Sequence, residues 1–204
     1  MTERHPTPTV ILASASASRA AILRHAGLEV DQRPSGVDED MVKASLRAEG
    51  ADAAHVALTL ADLKAQHISR QDSDAFVIGA DQMLDCNGTW FDKPPDFAHA
   101  RGHLEALRGK AHQLVTAAVV VRAGARIWQH VDRATLTMRP LSDGFIERYL
   151  AAVGEEVCTT VGGYRLEGRG AQLFSRIDGD FFTILGLPLL PLLDFLRGHG
   201  IVDE

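Results

Sequence analysis

The chain has 204 residues, of which 46% are hydrophobic and 24% charged, enough to bury a full core within one domain-sized unit. Its formal charge of −6 argues against sequence-independent binding to long nucleic acid, which needs a basic surface. Two cysteines, Cys86 and Cys158, are too few for a disulfide framework or a complete cysteine zinc site, and both read as reduced. No apolar run approaches a membrane span, and Met1 to Pro6 lacks the layout of a secretion signal, so a cytoplasmic protein without membrane contact is expected.

In chain order, hydrophobic periods of two and 3.6 alternate, as in a mixed α/β fold. Residues 1–8 read as a tail and 9–204 as one domain, with two lobes allowed. A strand is expected over Thr9 to Ala13 and a helix over Ser18 to His25, closed by Gly27. A second helix spans Ala53 to His67, with Val56, Ala57, Leu60 and Leu63 on one apolar face. Ala75 to Ala80 reads as a short strand buried on both sides. Asp96 to Leu107 follows a Pro-Pro stop as a helix ending at Gly109. His112 to Val121 and Arg126 to Met138 form a hairpin around residues 122–125, and Ser142 caps a helix to Ala152. The last third adds a strand over Ala171 to Ile177 and a helix over Leu189 to Arg197.

The run Leu12-Ala13-Ser14-Ala15-Ser16-Ala17-Ser18-Arg19 places three hydroxyls and a cation where a strand meets a helix. Freed backbone N–H groups, the helix dipole and a planar guanidinium suit a phosphate there. The alternative is one serine acting as an N-cap among small turn residues. Asp81 follows the buried strand directly, at the carboxyl end where open α/β sheets place ligands; it could instead cap a turn. Gln82 beside it can donate and accept, suiting a base or sugar edge.

Lys64 lies near the apolar seam of its helix, and Lys93 is stiffened by the two prolines after it. With Arg19 they could neutralise a triphosphate, although lysines in such places also snorkel to water. Glu39, in an acidic pair after a Ser-Gly turn, is ambiguous by spacing alone. His99 and His103 stand four apart on a helix, but no further ligand completes a metal set, and a solvent-facing helix is the better reading. Phosphate-loop lysine, dinucleotide glycine and nucleophile-elbow motifs are missing from the sequence.

These motifs, in this order, resemble the Maf family of nucleoside triphosphate pyrophosphatases: Leu12 to Ser16 with Arg19, Asp38-Glu39, Leu60-Ala61 with Lys64-Ala65, Gly79 to Gln82, and Lys93-Pro94. Gly109 with His112 and Thr116, Gly162-Gly163-Tyr164, Glu167-Gly168, Ile177-Asp178-Gly179 and Gly186 to Leu189 extend the likeness over about residues 9 to 197. The resemblance implies an α/β fold like that of inosine triphosphatases, with an elongated mixed sheet flanked by helices and two lobes about a central cleft. It implies cleavage of a nucleoside triphosphate to monophosphate and pyrophosphate. Asp81 matches the catalytic base, and Ser14, Ser16, Arg19, Lys64 and Lys93 match the phosphate-lining residues. Glu39 with Asp81 would hold Mg²⁺ or Mn²⁺, and a homodimer is the family expectation.

Gln82 and Glu167 resemble the branch acting on 7-methyl-GTP, since the UTP/dTTP branch carries Thr after the aspartate. Ser18 departs from both branches, which place Arg or Trp there, and Asp92 stands where the family has Gly. The expected substrate is a modified purine triphosphate, with a UTP/dTTP pyrophosphatase or a low-turnover, nucleotide-binding regulator of septum formation as alternatives.

Overall fold

The computed structural model describes residues 9–203; the expected tail over residues 1–8 lies outside them. Seven strands form one mixed sheet in the order β2-β1-β3-β5-β6-β7, with β4 paired to β3. The strands are β1 (Val10–Leu12), β2 (Asp31–Gln32), β3 (Phe76–Cys86), β4 (Thr89–Phe91), β5 (Ala111–Arg122), β6 (Ala125–Met138) and β7 (Phe174–Asp178). The flanking helices are α1 (Ala17–His25), α2 (Glu39–Ala48), α3 (Ala53–Ser69), α4 (Phe97–Leu107), α5 (Asp143–Val153), α6 (Phe181–Ile184) and α7 (Leu189–Arg197). The α/β class with a mixed, helix-flanked sheet is therefore as the sequence implied. None of the helices in the described residues is long and apolar enough to cross a membrane.

Residues 9–81, 116–132 and 186–203 form one compact unit; residues 82–115 and 133–185 form a second. In the first, β1 pairs in parallel with both β2 and β3, Leu12 lying opposite Gln32 and Ile78. Ile11, Leu12, Leu23, Leu60 and Ile78 are fully buried there. The second unit has its own core of Leu84, Leu104, Leu107, Leu136, Ile146 and Phe174, among others. There β6 and β7 run antiparallel with a register shift at Thr137/Met138.

Several boundaries differ from expectation for identifiable reasons. The strand expected to stop at Ala80 continues to Cys86, so Asp81 lies within β3 rather than at its end. The extension stays largely inside: Met83, Leu84 and Cys86 are buried, while Gln82 and Asp85 are only partly covered. Asn87 and Gly88, both at positive φ (54° and 82°), then turn the chain into β4, with the Asp85 carboxylate accepting from Gly88 N at 2.7 Å. Such an Asn-Gly pair is a strong hairpin signal that the sequence reading passed over.

Two further expectations need correction. The strand placed at Ala171 begins at Phe174, because residues 169–173 form a 3₁₀ turn. Gly170 is required in that turn, since a Cβ there would fall 2.3 Å from Arg165 O. Leu63, assigned to the apolar face of α3, is 40% exposed, and the buried seam runs through Val56, Ala57, Leu60, Ala61, Lys64, Ala65 and Ile68. Helix α2 has no fully buried residue, and Val42 and Leu46, one turn apart, are only partly covered; its capping aspartate Asp38 accepts from Met41 N at 3.0 Å. His99 is solvent-facing, but His103 is partly buried with its ring edge against Phe91, 5.2 Å between centroids.

His112 is buried in the second unit, its Nε2 2.7 Å from the Tyr164 hydroxyl. Burial pushes its pKa down from 6.5 to about 4. Because the unfolded chain takes up a proton near pH 6.5 and the folded chain only near 4, stability falls as pH drops through that window. The expected loss is roughly 3 kcal/mol, by linkage. Urea titrations of wild type and His112→Gln at intervals from pH 7 to 4 check this: the variant should lack that part of the acid loss.

Candidate active site

The cluster in the first unit starts from a glycine. Gly79 and Asp81 are two apart on β3 and face the same side of the sheet. A Cβ on Gly79 would sit 2.1 Å from Ala61 O and 2.9 Å from Ala65 Cβ, so α3 rests directly on the strand backbone. That close approach, made where the helix also carries Ala61 and Ala65, brings Lys64 down onto Asp81, Nζ to Oδ1 2.6 Å. Strand β1 ends at Leu12, opposite Ile78, and Ala13 N donates to Ile78 O at 2.8 Å. Asp81 therefore lies beyond the end of its neighbouring strand β1, which supplies the setting expected of a strand end although β3 continues.

Glu39, the first residue of α2, reaches the same ammonium, Oε1 to Nζ 2.7 Å. The Lys64 and Asp81 side chains are 7% and 6% exposed, whereas Glu39 is 43% exposed. Burial pushes the Glu39 carboxyl up, but Lys64, Lys43 and Arg19 outweigh it and hold the group below its ordinary value. Asp81 Oδ2 is buried and has no hydrogen-bond partner among the described residues. A carboxylate oxygen so placed is costly unless a proton donor or a cation reaches it.

The serine turn packs beside this group. Ser16 caps α1, accepting from Arg19 N at 3.3 Å, and Ser14 Oγ accepts from Ser16 N and from Arg19 Nη1, both at 3.2 Å. Arg19 donates further from Nη1 to Ala80 O (2.9 Å) and from Nε to Gly186 O (2.7 Å). Burial lowers the Arg19 pKa, opposed by Asp81 and Glu39, and a guanidinium nonetheless stays charged. Gln32, which the sequence reading missed, donates from Nε2 to Ser14 O (2.9 Å) and Ser16 O (3.3 Å), bracing the turn from β2. Its only sequence signal was a polar residue after a short gap from Leu28.

Six of the expected site residues thus fall into two adjoining sets, Ser14, Ser16 and Arg19 in one and Glu39, Lys64 and Asp81 in the other, which meet where Arg19 donates to Ala80 O beside Asp81. Ser18 lies in the first turn of α1, partly exposed. Gln82, Lys93 and Glu167 belong to the second unit. There the Gln82 amide donates to Thr183 O (2.9 Å) and Ile184 O (3.1 Å), so it ties β3 to α6. Lys93 is exposed in the segment after β4. Glu167 accepts from Arg165 Nε at 2.9 Å, Arg165 also pairs with Glu156, and all three line a cavity of about 320 Å³ with Tyr149 and Arg169.

The acidic pair fits a small hard cation. Such ions are commonly held by one or two carboxylates and completed by substrate phosphates and water. Asp81 Oδ2 offers an unused oxygen, and Glu39 lies on the same ammonium as Asp81. Among the described residues no group of three or more His, Cys, Asp or Glu is arranged to hold an ion. A cation here would therefore take its other ligands from outside the chain.

Lys64→Met should be strongly destabilising, because it leaves Asp81 buried without its countercharge. The expected cost is about 3–5 kcal/mol. Adding Asp81→Asn should recover most of it, which thermal melts of the single and double variants will test; a double variant no more stable than Lys64→Met would refute the charge argument.

The Maf-like protein family model matches residues 9–199. A protein of Granulibacter bethesdensis, 56% identical over 190 residues that cover 93% of this chain and 96% of its own, is called a nucleoside triphosphate pyrophosphatase. One from Paramagnetospirillum magneticum with the same description is 53% identical over 93% of this chain and 98% of its own. A protein of Rhizobium meliloti, 51% identical over 96% of this chain and 98% of its own, is called a 7-methyl-GTP pyrophosphatase. An α/β sheet protein with a basic serine turn facing a buried aspartate is thus accompanied by full-length sequence similarity. The chain belongs to the Maf family.

Proposed function

We propose that this protein hydrolyses nucleoside triphosphates between the α and β phosphates, releasing a nucleoside monophosphate and pyrophosphate, with Mg²⁺ or Mn²⁺ as cofactor. The observation that carries the proposal is Asp81 Oδ2, a carboxylate oxygen buried and unpartnered among the described residues, on a side chain that pairs with Lys64 beside the Ala80 carbonyl held by Arg19. The names of relatives that align over nearly their whole length support the same chemistry.

In this reading Asp81 takes the proton of the attacking water, and Arg19 and Lys64 offset the phosphate charge. Ser14 and Ser16 help to orient the phosphates. Fixed cations suffice because phosphoryl transfer needs positioning and charge neutralisation rather than a covalent intermediate. A bound divalent ion would supply further neutralisation and a more acidic water.

For the base, Gln82 and Glu167 match the 7-methyl-GTP branch, and one relative at 51% identity carries that name. Ser18 withholds the large side chain that either branch would present, so a modified purine is preferred without a strong stacking contact. The test is pyrophosphate release from a panel of ordinary and methylated triphosphates with Mg²⁺ or Mn²⁺. Release from 7-methyl-GTP exceeding that from UTP and dTTP is expected; nucleotide binding with no pyrophosphate from any member would overturn the enzyme reading.

A further inference from the structure

The two carboxylates assigned above to a divalent cation are already bridged by a cation belonging to the chain. Lys64 Nζ lies 2.6 Å from Asp81 Oδ1 and 2.7 Å from Glu39 Oε1, and the residue is only 5% exposed. Its position in the middle of the buried seam of α3 leaves the ammonium little water to fall back on. An ammonium is a compact point charge with three donors, so it can serve two carboxylates from different elements at once.

Other nearby cations are placed differently. Arg19 donates to Gly186 O, Ala80 O and Ser14 Oγ, all neutral oxygens, and it acts on Asp81 and Glu39 through its charge. Lys43 likewise acts on Glu39 through charge, from helix α2. Lys64 alone among the three forms ion pairs with both carboxylates within the described contacts.

We propose that Lys64 is the resident counter-ion of the Glu39–Asp81 pair and competes with the divalent cation for it. The inference rests on the assignment of that pair as metal ligands in the proposed function. Divalent ion alone then binds the wild-type chain weakly, since it must displace a buried ammonium that has no other ion-pair partner among the described residues. A substrate polyphosphate gives Lys64 such a partner, so ion and nucleotide load together.

The experiment is a titration of nucleotide-free, full-length protein with Mn²⁺, followed by calorimetry or by loss of the free-ion electron-spin signal. Lys64→Met and Lys64→Gln should each bind Mn²⁺ at least about tenfold more tightly than wild type, as expected for removal of an adjacent unit charge. Lys43→Met removes a charge of the same sign that acts on Glu39 from the half-buried surface of α2, leaves Lys64 on both carboxylates, and should shift affinity by less than about threefold. Equal or weaker Mn²⁺ binding by both Lys64 variants, or an equally large gain in Lys43→Met, overturns the competition.

If loss of the ion pair leaves the Lys64 variants too unstable to titrate, the rise in melting temperature on adding Mn²⁺ reads the same competition. It should be larger in Lys64→Gln than in wild type, and an equal rise counts against the proposal. Pyrophosphate release plays no part in this readout. A chain that released none but showed tighter Mn²⁺ binding without Lys64 would overturn the proposed activity and leave the competition standing; the reverse result would remove only the competition.

Discussion

Asp81→Asn should lower pyrophosphate release by about 10²–10⁴-fold, the usual effect of losing a positioned general base. The amide keeps the shape of the side chain and can still accept from Lys64 through its oxygen, so the strand–helix contact is retained. What it loses is the ability to take a proton at the buried Oδ2 position, which no hydrogen-bonding group among the described residues reaches. The measurements are kcat with 7-methyl-GTP, or with whichever triphosphate of the panel is turned over fastest, alongside a thermal melt. A variant that melts normally and turns over at more than a tenth of the wild-type rate would remove Asp81 from the catalytic role.

Gly79→Val should be the most damaging single change in the first unit. Even the first carbon of a side chain would stand 2.1 Å from a backbone oxygen of α3, an atom that cannot swing aside like the tip of a side chain. The helix must move off the strand, at about 3 kcal/mol or more for overpacking against backbone. It would carry Lys64 away from Asp81, so activity should fall further than stability alone explains. Leu196→Ala is the comparison: it empties a fully buried position in α7 at a similar cost of about 2–5 kcal/mol. Below its melting temperature it should keep wild-type kcat, whereas Gly79→Val should not; matching kcat values in the two variants would contradict the placement argument.

Much of this was readable from local chemistry. The serine turn announced a helix start, and Ser16 does cap α1 because a short hydroxyl side chain satisfies a free N–H there whatever lies around it. Likewise the caps Asp96 and Ser142 mark α4 and α5 where the sequence placed them. Helix α2 was missed although Asp38 caps it and Glu39 and Asp40 suit its first turn, because its apolar side is short and only partly covered. Leu63 lies outside the buried seam while Lys64, expected near it, is fully within it, because single-helix periodicity cannot say which side chains a neighbouring strand covers.

The site divides in the same way. The candidates for a phosphate site, and their order along the chain, were read from residue type: hydroxyls at a helix start, a guanidinium, two lysines, an aspartate after an apolar strand. Their resemblance to one family followed from that order alone. Only the tertiary structure decided that Lys64, 17 residues before Asp81, would reach it, and that Arg19 would be anchored by Gly186, 167 residues away. Caps and turns obey rules that act within four or five residues. Ion pairs between a strand, a helix and another helix's first turn depend on how closely backbones pack, and here that distance is set by the missing side chain of Gly79.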